Sequence, residues 1–173
     1  MIKKLIWLFL LLLISCGYTT QMYLYRGKSI YIKPVVNNVN ITREDRTYSS
    51  YSPYPLLLDK ELTNAIITRF NIDGHLKVVS GEGGVLRLET YINNYEKEAL
   101  RYTDTDDVSE QRLRLYVKIV LFDSQNNIIK EKNIVGETSY FLSGNLAKSE
   151  ANACLDLVED TARRIVEMLI EEW

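Results

Sequence analysis

The chain has 173 residues, of which 46% are apolar and 25% are charged, a composition typical of one globular domain with its own core. It carries 21 basic and 23 acidic side chains, and the net charge of −2 gives no electrostatic reason to expect a nucleic-acid partner. His75 is the only histidine, which excludes any site that needs two, and two cysteines are too few for a zinc knuckle. The composition therefore leaves few groups for catalysis, a metal site or a cofactor.

The first segment has the pattern of an export signal. Lys3 and Lys4 form a positive start, and an apolar run follows from Leu5 to Ile14. A helix of this length covers about 15 Å, roughly half of a ~30 Å hydrocarbon core, so the run is too short to span a membrane. The pattern predicts a signal peptide over residues 1–15.

The residues after the apolar run predict a lipid anchor. The stretch Leu13–Ser15 followed by Cys16 resembles the lipobox of bacterial lipoproteins. In such proteins the cysteine carries an S-diacylglycerol and an N-acyl group, and several acyl chains hold a protein on a membrane where one chain does not. Cys16 is therefore the predicted lipid attachment site. Because enterobacterial lipoproteins retained in the inner membrane have an aspartate at the next position, Gly17 indicates the outer membrane.

The rest of the chain predicts a lipidated tether over residues 16–28 and a single domain over residues 29–173. Ser29–Val36 is rich in β-branched residues and predicts a strand, which Pro34 restricts to an edge or a bulged position. Asn37–Pro55 has no apolar period and predicts a long loop, and loops of this length are usually functional or disordered.

Two helices and four more strands are predicted after this loop. Apolar residues at helical spacing indicate the helices, and alternating apolar and polar residues indicate the strands. In chain order they are a helix over about residues 56–72, strands over about 75–80, 85–102, 111–121 and 128–141, and a helix over 145–173.

The strand Gln111–Leu121 has one apolar and one polar face. One face therefore packs on a core, and the other meets solvent or a partner, as in an antiparallel sheet covered on one side. Each predicted helix also has a single apolar stripe. The economical arrangement is a two-layer α+β fold, with both helices on one face of a mostly antiparallel sheet of four to five strands.

Four other groups of residues have a chemical interpretation that the sequence does not favour. His75 lacks a nucleophile motif such as Gly-x-Ser-x-Gly and is expected to be an exposed or capping residue. The acidic run 104–107 lacks the glycine and glutamate of an EF-hand and predicts a solvated hairpin tip. The glycine-rich run 81–84 leads into a strand, so it predicts a turn and not a phosphate cradle. Cys154 lies on the apolar stripe of the last helix and is expected to be a small core residue. No catalytic residue and no metal site are predicted.

Tyrosines are concentrated near the anchor and in the long loop. Seven of the twelve tyrosines lie between Tyr18 and Tyr54. Tyrosine is enriched at interfaces with partners and at membrane interfaces, so this region is a candidate contact region. A mobile aromatic loop without a partner is the alternative.

Basic residues gather on the polar face of the strand Gln111–Leu121. Arg112 and Arg114 lie on that face, and Arg101 and Lys148 are expected in flanking loops. Basic groups of this kind form charge-assisted hydrogen bonds with the phosphates of an anionic lipid. These residues are therefore candidate ligand contacts, with a simple solvated face as the alternative.

Six short motifs occur along the chain in an order and spacing shared with a known family. They are Cys16-Gly17-Tyr18, Lys33-Pro34-Val35, Leu62-Thr63-Asn64-Ala65, His75-Leu76-Lys77-Val78-Val79, the alternating strand Arg112–Val120, and the closing Leu169-Ile170-Glu171-Glu172-Trp173. The set resembles the lipopolysaccharide-assembly lipoprotein family LptE over nearly all of the mature chain. Gly83-Gly84 departs from that pattern, in which a small and an acidic residue are expected at the same turn.

The resemblance implies a function that composition alone does not. Proteins of that family are anchored in the inner leaflet of the outer membrane and plug the lumen of the LPS-assembly β-barrel LptD. They assist the folding of the barrel and help to insert lipopolysaccharide into the outer leaflet. The resemblance implies no enzyme activity and no cofactor besides the lipid on Cys16. It makes Arg101, Arg112, Arg114 and Lys148 candidate contacts with lipopolysaccharide or the barrel.

A different envelope lipoprotein is the alternative. A pilotin-like chaperone of a secretion pore, or an adaptor of another envelope complex, would share the anchor and the small α+β domain without binding lipopolysaccharide. A periplasmic hydrolase is a third class, and it needs catalytic groups that a chain with one histidine does not supply.

Overall fold

The structure is a computed structural model, and it describes residues 28–39 and 55–170. The predicted signal peptide, Cys16 and most of the predicted loop 37–55 lie outside the described residues. The structural account that follows concerns the domain that begins after the tether.

Six strands and two helices make up the described part of the chain. In order they are β1 (Ser29–Ile32), β2 (Val36–Asn37), α1 (Leu58–Asp73), β3 (Lys77–Val79), β4 (Leu86–Tyr102), β5 (Val108–Phe122), β6 (Ile128–Phe141) and α2 (Glu150–Ile170). The second helix begins five residues later than predicted, because the chain after β6 first forms a turn and a bridge between Phe141 and Ala147.

Pro34 divides the first predicted strand into β1 and β2. Ile32 is opposite Leu88 and Val36 is opposite Tyr91. The chain therefore advances four residues from Ile32 to Val36 while β4 advances only three. One extra residue is accommodated around the proline, which has no N–H to donate to a neighbour. The predicted bulge is therefore confirmed, whereas an edge position is wrong because β1 lies between β3 and β4.

The strands form one open mixed sheet in the order β3-β1-β4-β5-β6, with β2 also paired to β4. β1 is parallel to both β3 and β4, and only β4, β5 and β6 form an antiparallel meander. The prediction of a mostly antiparallel sheet of four to five strands is therefore wrong. The physical reason is the connection through α1, which returns the chain along the sheet and makes β3 parallel to β1.

Both helices bury one side in a single core. α1 contributes four residues at helical spacing, and β5 contributes every second residue from Leu113 to Leu121. The buried residues of α2 belong to the same cluster. The buried helix residues are Leu58, Leu62, Ile66 and Phe70 in α1, and Ala153, Cys154, Leu157, Val158, Thr161, Ala162, Ile165, Val166 and Leu169 in α2.

Gly136 in β6 lets α2 approach the sheet closely. A Cβ atom at this position would lie 1.9 Å from the Thr161 Oγ1 atom and 3.0 Å from the Thr161 Cα atom. Such distances are far inside van der Waals contact, so only glycine fits here without movement of the helix. A glycine inside a strand is a sequence signal of close approach by another segment.

The structure shows where the four groups lie for which the sequence does not favour a chemical role. The His75 Nδ1 atom lies 2.6 Å from an Asp73 carboxylate oxygen, just after α1, whose C-cap is Gly74. The run 104–107 forms the tip between β4 and β5, and 81–84 connects β3 to β4. Cys154 is buried, which confirms its prediction as a core residue, and burial raises the pKa of its thiol.

Candidate functional site

Within residues 28–39 and 55–170, one face of the sheet carries no helix, and it is here called the open face. It is formed by the side chains of β4, β5 and β6 that alternate with the core residues. Its polar members are Arg87, Glu89, Tyr91, Asn94, Glu96, Glu98 and Arg101 from β4, Glu110, Arg112, Arg114, Tyr116 and Lys118 from β5, and Glu131, Asn133, Glu137 and Ser139 from β6.

A β-bulge at Asn93 decides which residues of β4 belong to the open face. The register against β5 shifts at this residue, so the alternation reverses, and a second shift between Ala99 and Arg101 reverses it again. Before the bulge, Tyr91 lies on the open face, and after it Glu96 does. Tyr95 lies on the helix side, where its Oη atom is 3.8 Å from the Cys154 Sγ atom of α2.

The two central arginines of the open face lie beside carboxylates of the neighbouring strands. An Arg112 nitrogen lies 3.9 Å from a Glu98 carboxylate oxygen, and an Arg114 nitrogen lies 3.3 Å from the same oxygen. A second nitrogen of Arg114 lies 3.7 Å from a Glu137 carboxylate oxygen. At the centre of the open face, β5 therefore carries the cations and both neighbouring strands supply carboxylates.

The same arrangement continues along β5. The Lys118 ammonium lies 2.7 Å from a Glu131 carboxylate oxygen, and the Tyr116 hydroxyl donates to a Glu96 oxygen at 2.7 Å. The Asn94 amide donates to the other Glu96 oxygen at 2.9 Å. Because donors and carboxylates are paired across the strands, the side chains of the open face are oriented before any partner arrives.

A compact polar cluster closes one end of the open face around Glu89. Its carboxylate accepts from the Tyr91 hydroxyl at 2.5 Å and from the Lys33 ammonium at 3.1 Å, and an Arg87 nitrogen lies 3.3 Å away. The hydrogen bond from Tyr91 is the main reason that the pKa of Glu89 is lowered, and burial opposes it. The Arg87 guanidinium also lies 4.4 Å from the centroid of the Phe122 ring.

The four predicted basic contacts fall on two surfaces. Arg101 lies at the end of β4 and not in a flanking loop, and its Nε atom is 2.9 Å from a carboxylate oxygen of Glu110. It joins the two central arginines on the open face. Lys148 does lie in a loop, between β6 and α2, and it pairs with Asp156 of α2. The structure therefore brings three of the predicted residues together and places Lys148 against the helical layer.

Sequence reasoning found the cations of the open face and missed their anionic partners. Glu96 and Glu98 are two residues apart within the predicted strand 85–102, a spacing that puts both on one face. The sequence therefore contains a signal for these two glutamates. It contains none for the cross-strand register that brings Glu137 beside Arg114. With cations and carboxylates alternating, the open face is suited to contact a polar surface that carries both signs of charge.

Neither helix of the described residues is both long and apolar enough to cross a membrane. Within residues 28–39 and 55–170, no three histidine, cysteine, aspartate or glutamate side chains are grouped so that they could hold a metal ion.

Comparison with known proteins gives one family match. The model of the family LptE, described as lipopolysaccharide-assembly, matches residues 28–169. No curated protein matches the sequence. The matched range includes all strands and nearly all of α2, so it covers the domain that carries the open face.

Several solved structures have a similar fold at low sequence identity. A DUF330 protein from Xanthomonas campestris is 10% identical, covers 84% of this chain and 83% of its own, and has a TM-score of 0.58. A minor lipoprotein from Acinetobacter baumannii is 14% identical, with coverage of 84% and 94% and a TM-score of 0.50. The rare lipoprotein B from Shewanella oneidensis is 13% identical, with coverage of 82% and 95% and a TM-score of 0.49. At these identities the likeness to the first two structures concerns the fold alone.

Proposed function

Because the chain belongs to the lipopolysaccharide-assembly family LptE, whose model matches residues 28–169, we propose that it plugs the LPS-translocon β-barrel LptD. In this role it assists assembly of the barrel and helps to insert lipopolysaccharide into the outer leaflet. It is held at the outer membrane, facing the periplasm, by the lipid on Cys16. The protein acts by binding and occupancy, without a catalytic step.

The open face is the observation that carries this proposal beyond family membership. Barrel interiors are lined by polar side chains, so a plug needs a polar surface that is already ordered. The open face is polar and carries nearly equal numbers of cations and carboxylates, and charged side chains pair across its three strands. Both helices of the described part of the chain pack on the other side of the sheet, so we propose that this face contacts the barrel wall or a lipid headgroup.

The arginines are the proposed contacts on this face. Arg101, Arg112 and Arg114 each lie beside a carboxylate, so a phosphate or a barrel carboxylate competes with Glu110 or Glu98 for them. Arginine forms paired, charge-assisted hydrogen bonds with either group. Lys148 is a proposed contact on the helical layer, where an incoming anion competes with Asp156.

Neutralising the two central arginines tests the proposal. Arg112→Gln combined with Arg114→Gln is preferred to charge reversal, because new carboxylates beside Glu98 and Glu137 would repel and destabilise the sheet. Binding to the barrel or to lipopolysaccharide should fall several-fold. The measurements are quantitative mass spectrometry of the barrel recovered with the tagged lipoprotein from native outer membranes, and binding of purified lipopolysaccharide.

A matched pair of basic residues in α1 serves as the control. Lys60→Gln combined with Arg69→Gln removes the same charge from the helical layer, away from the open face, and both readouts should stay at the wild-type level. Unchanged binding of both ligands by the arginine variant would remove the open face from the contact surface. Recovery of a secretin in place of an LPS-assembly barrel with the wild-type protein would overturn the proposed function.

A further inference from the structure

β6 forms one edge of the sheet. It has 14 residues and is the last strand in the order β3-β1-β4-β5-β6. In an antiparallel edge strand, the N–H and C=O groups of every second residue point away from the sheet. Such a row pairs readily with another extended segment unless something covers it.

The chain itself covers the second half of this edge. The backbone N–H of Glu137 donates to an Asp160 carboxylate oxygen of α2 at 3.0 Å, and the C=O of Phe141 accepts from the N–H of Lys148 at 3.0 Å. These two contacts also identify the outward positions as the odd-numbered residues. The register with β5 is unbroken from Lys130 to Phe141, so this alternation holds over that whole stretch.

The first half of the edge has no such cover among the residues that the structure describes. By the alternation, the backbone groups of Glu131, Asn133 and Val135 point outward. This half of the edge also exposes apolar side chains, since Ile128 is 58% exposed and Val135 is 37% exposed. An uncovered stretch of strand with exposed aliphatic residues has the properties of a pairing site.

The position of α2 restricts what this edge can accept. Thr161 packs on Gly136, and the C=O of Met168 accepts from the Lys130 ammonium at 2.7 Å, so the helix runs directly over β6. A second copy paired antiparallel here would place its own α2 on the same face of the sheet, only one strand spacing away, about 4.8 Å, whereas packed helices need about 8–10 Å. A bare extended segment meets no such obstacle.

We infer that Glu131–Val135 binds an extended segment of the barrel partner by strand addition. The identity of that partner rests on the proposed function. Backbone hydrogen bonds supply the affinity in this mode, and side chains on one face supply the selectivity. On the open face the segment meets Val135 and Glu131. An apolar side chain beside Val135 and a polar side chain beside Glu131 therefore fit best.

Proline and alanine at the same position separate strand addition from a side-chain contact. Asn133→Pro removes an outward N–H, and proline is tolerated in edge strands where the N–H faces away from the sheet. Asn133→Ala keeps the N–H and removes only the side chain. The full-length tagged variants are expressed in the native host, and the recovered LPS-assembly barrel is quantified by mass spectrometry. Recovery should fall at least tenfold for Asn133→Pro and clearly less for Asn133→Ala, which changes one side chain of the open face but keeps the outward N–H.

Each other outcome has a defined meaning. Equal recovery with both variants overturns strand addition and leaves the proposed function intact, whereas no barrel with the wild-type protein overturns the proposed function. If light scattering shows a wild-type dimer that Asn133→Pro abolishes, the edge binds a second copy and the inference is wrong.

Thermal unfolding verifies that the variants fold. Should Asn133→Pro fail to fold, Val135→Pro and Val135→Ala make the same comparison.

Discussion

Gly136 is the residue at which α2 packs most directly on the backbone of β6. Gly136→Ala would place a methyl group 1.9 Å from the Thr161 Oγ1 atom and 2.9 Å from its Cβ atom, so either the helix or the strand must move. Overpacking of this kind typically costs about 1–3 kcal/mol, and the approach to the Thr161 Cα atom at 3.0 Å favours the upper end of that range. Chemical denaturation of the domain measures the free energy of unfolding.

Gly81→Ala is the control for this substitution. A Cβ atom at Gly81 would meet nothing within 4 Å, and its backbone is not in the left-handed region. Its free energy of unfolding should stay within about 0.5 kcal/mol of wild type. Equal stability of the two alanine variants would show that α2 does not pack on β6 as described.

Asp160 links α2 to β6 through its charge. Burial alone would raise the pKa of Asp160, but the N–H of Glu137 and the guanidinium groups of Arg163 and Arg164 lower it below its usual value. Because the pKa is lower in the folded chain than in the unfolded one, the stabilisation is complete above the unfolded value of about 3.9. It is lost as the pH falls through the lower, folded value.

Asp160→Asn should therefore have a pH-dependent effect. At pH 7 the loss is expected to be about 1–3 kcal/mol, as for hydrogen bonds to a charged group, and it should shrink below about pH 4. The measurement is the free energy of unfolding from pH 7 to pH 2. Glu159→Gln, an exposed neighbour, should show no such trend, and a constant difference for Asp160→Asn would exclude a role for its charge.

At the scale of the elements, two threonines have opposite hydrogen-bonding environments. The Thr63 hydroxyl of α1 accepts from the buried Val35 N–H at 3.0 Å and donates to the Asp59 C=O at 2.7 Å, so it joins α1 to the segment between β1 and β2. The Thr90 hydroxyl of β4 is buried without a hydrogen-bond partner among the described residues. Thr63→Val should destabilise by about 1–3 kcal/mol because it leaves the Val35 N–H unpaired.

Thr90→Val should be neutral or stabilising by up to about 1 kcal/mol, because it removes a buried hydroxyl that has no partner in the described structure. The two variants remove the same chemical group, so their difference in thermal and chemical unfolding reports its environment. A destabilisation of Thr90→Val as large as that of Thr63→Val would mean that the Thr90 hydroxyl is bonded in the folded protein.

The elements with local patterns were predictable, and the contacts between distant elements were not. The limits 128–141 of β6 coincide with the prediction, because alternation and a turn are visible in a few residues. The place of β1 between β3 and β4 depends on pairing with residues about fifty positions away, which no short pattern records. Similarly, Arg114 was predictable as a cation on a polar face, but Glu98 reaches it only because the Asn93 bulge reverses β4.

At the scale of the whole molecule, attachment to the membrane is proposed to depend on Cys16, which lies outside the described residues. Cys16→Ser should abolish incorporation of labelled fatty acid and remove the acyl masses from the N-terminal peptide, because the thiol that receives the diacylglycerol is lost. Cys154→Ser should retain the label, since this thiol is buried between α2 and β4. Label on Cys16→Ser would place the anchor elsewhere.

β1 follows the predicted tether, and it lies inside the sheet between β3 and β4. When a partner holds another part of the domain, a force from the membrane anchor is applied at Ser29 and acts along this strand. Such a load shears the hydrogen bonds to both neighbours together, so they resist as a group. A strand at the edge would instead peel away one bond at a time. The internal position of β1 therefore makes the connection between the domain and its tether resistant to mechanical force.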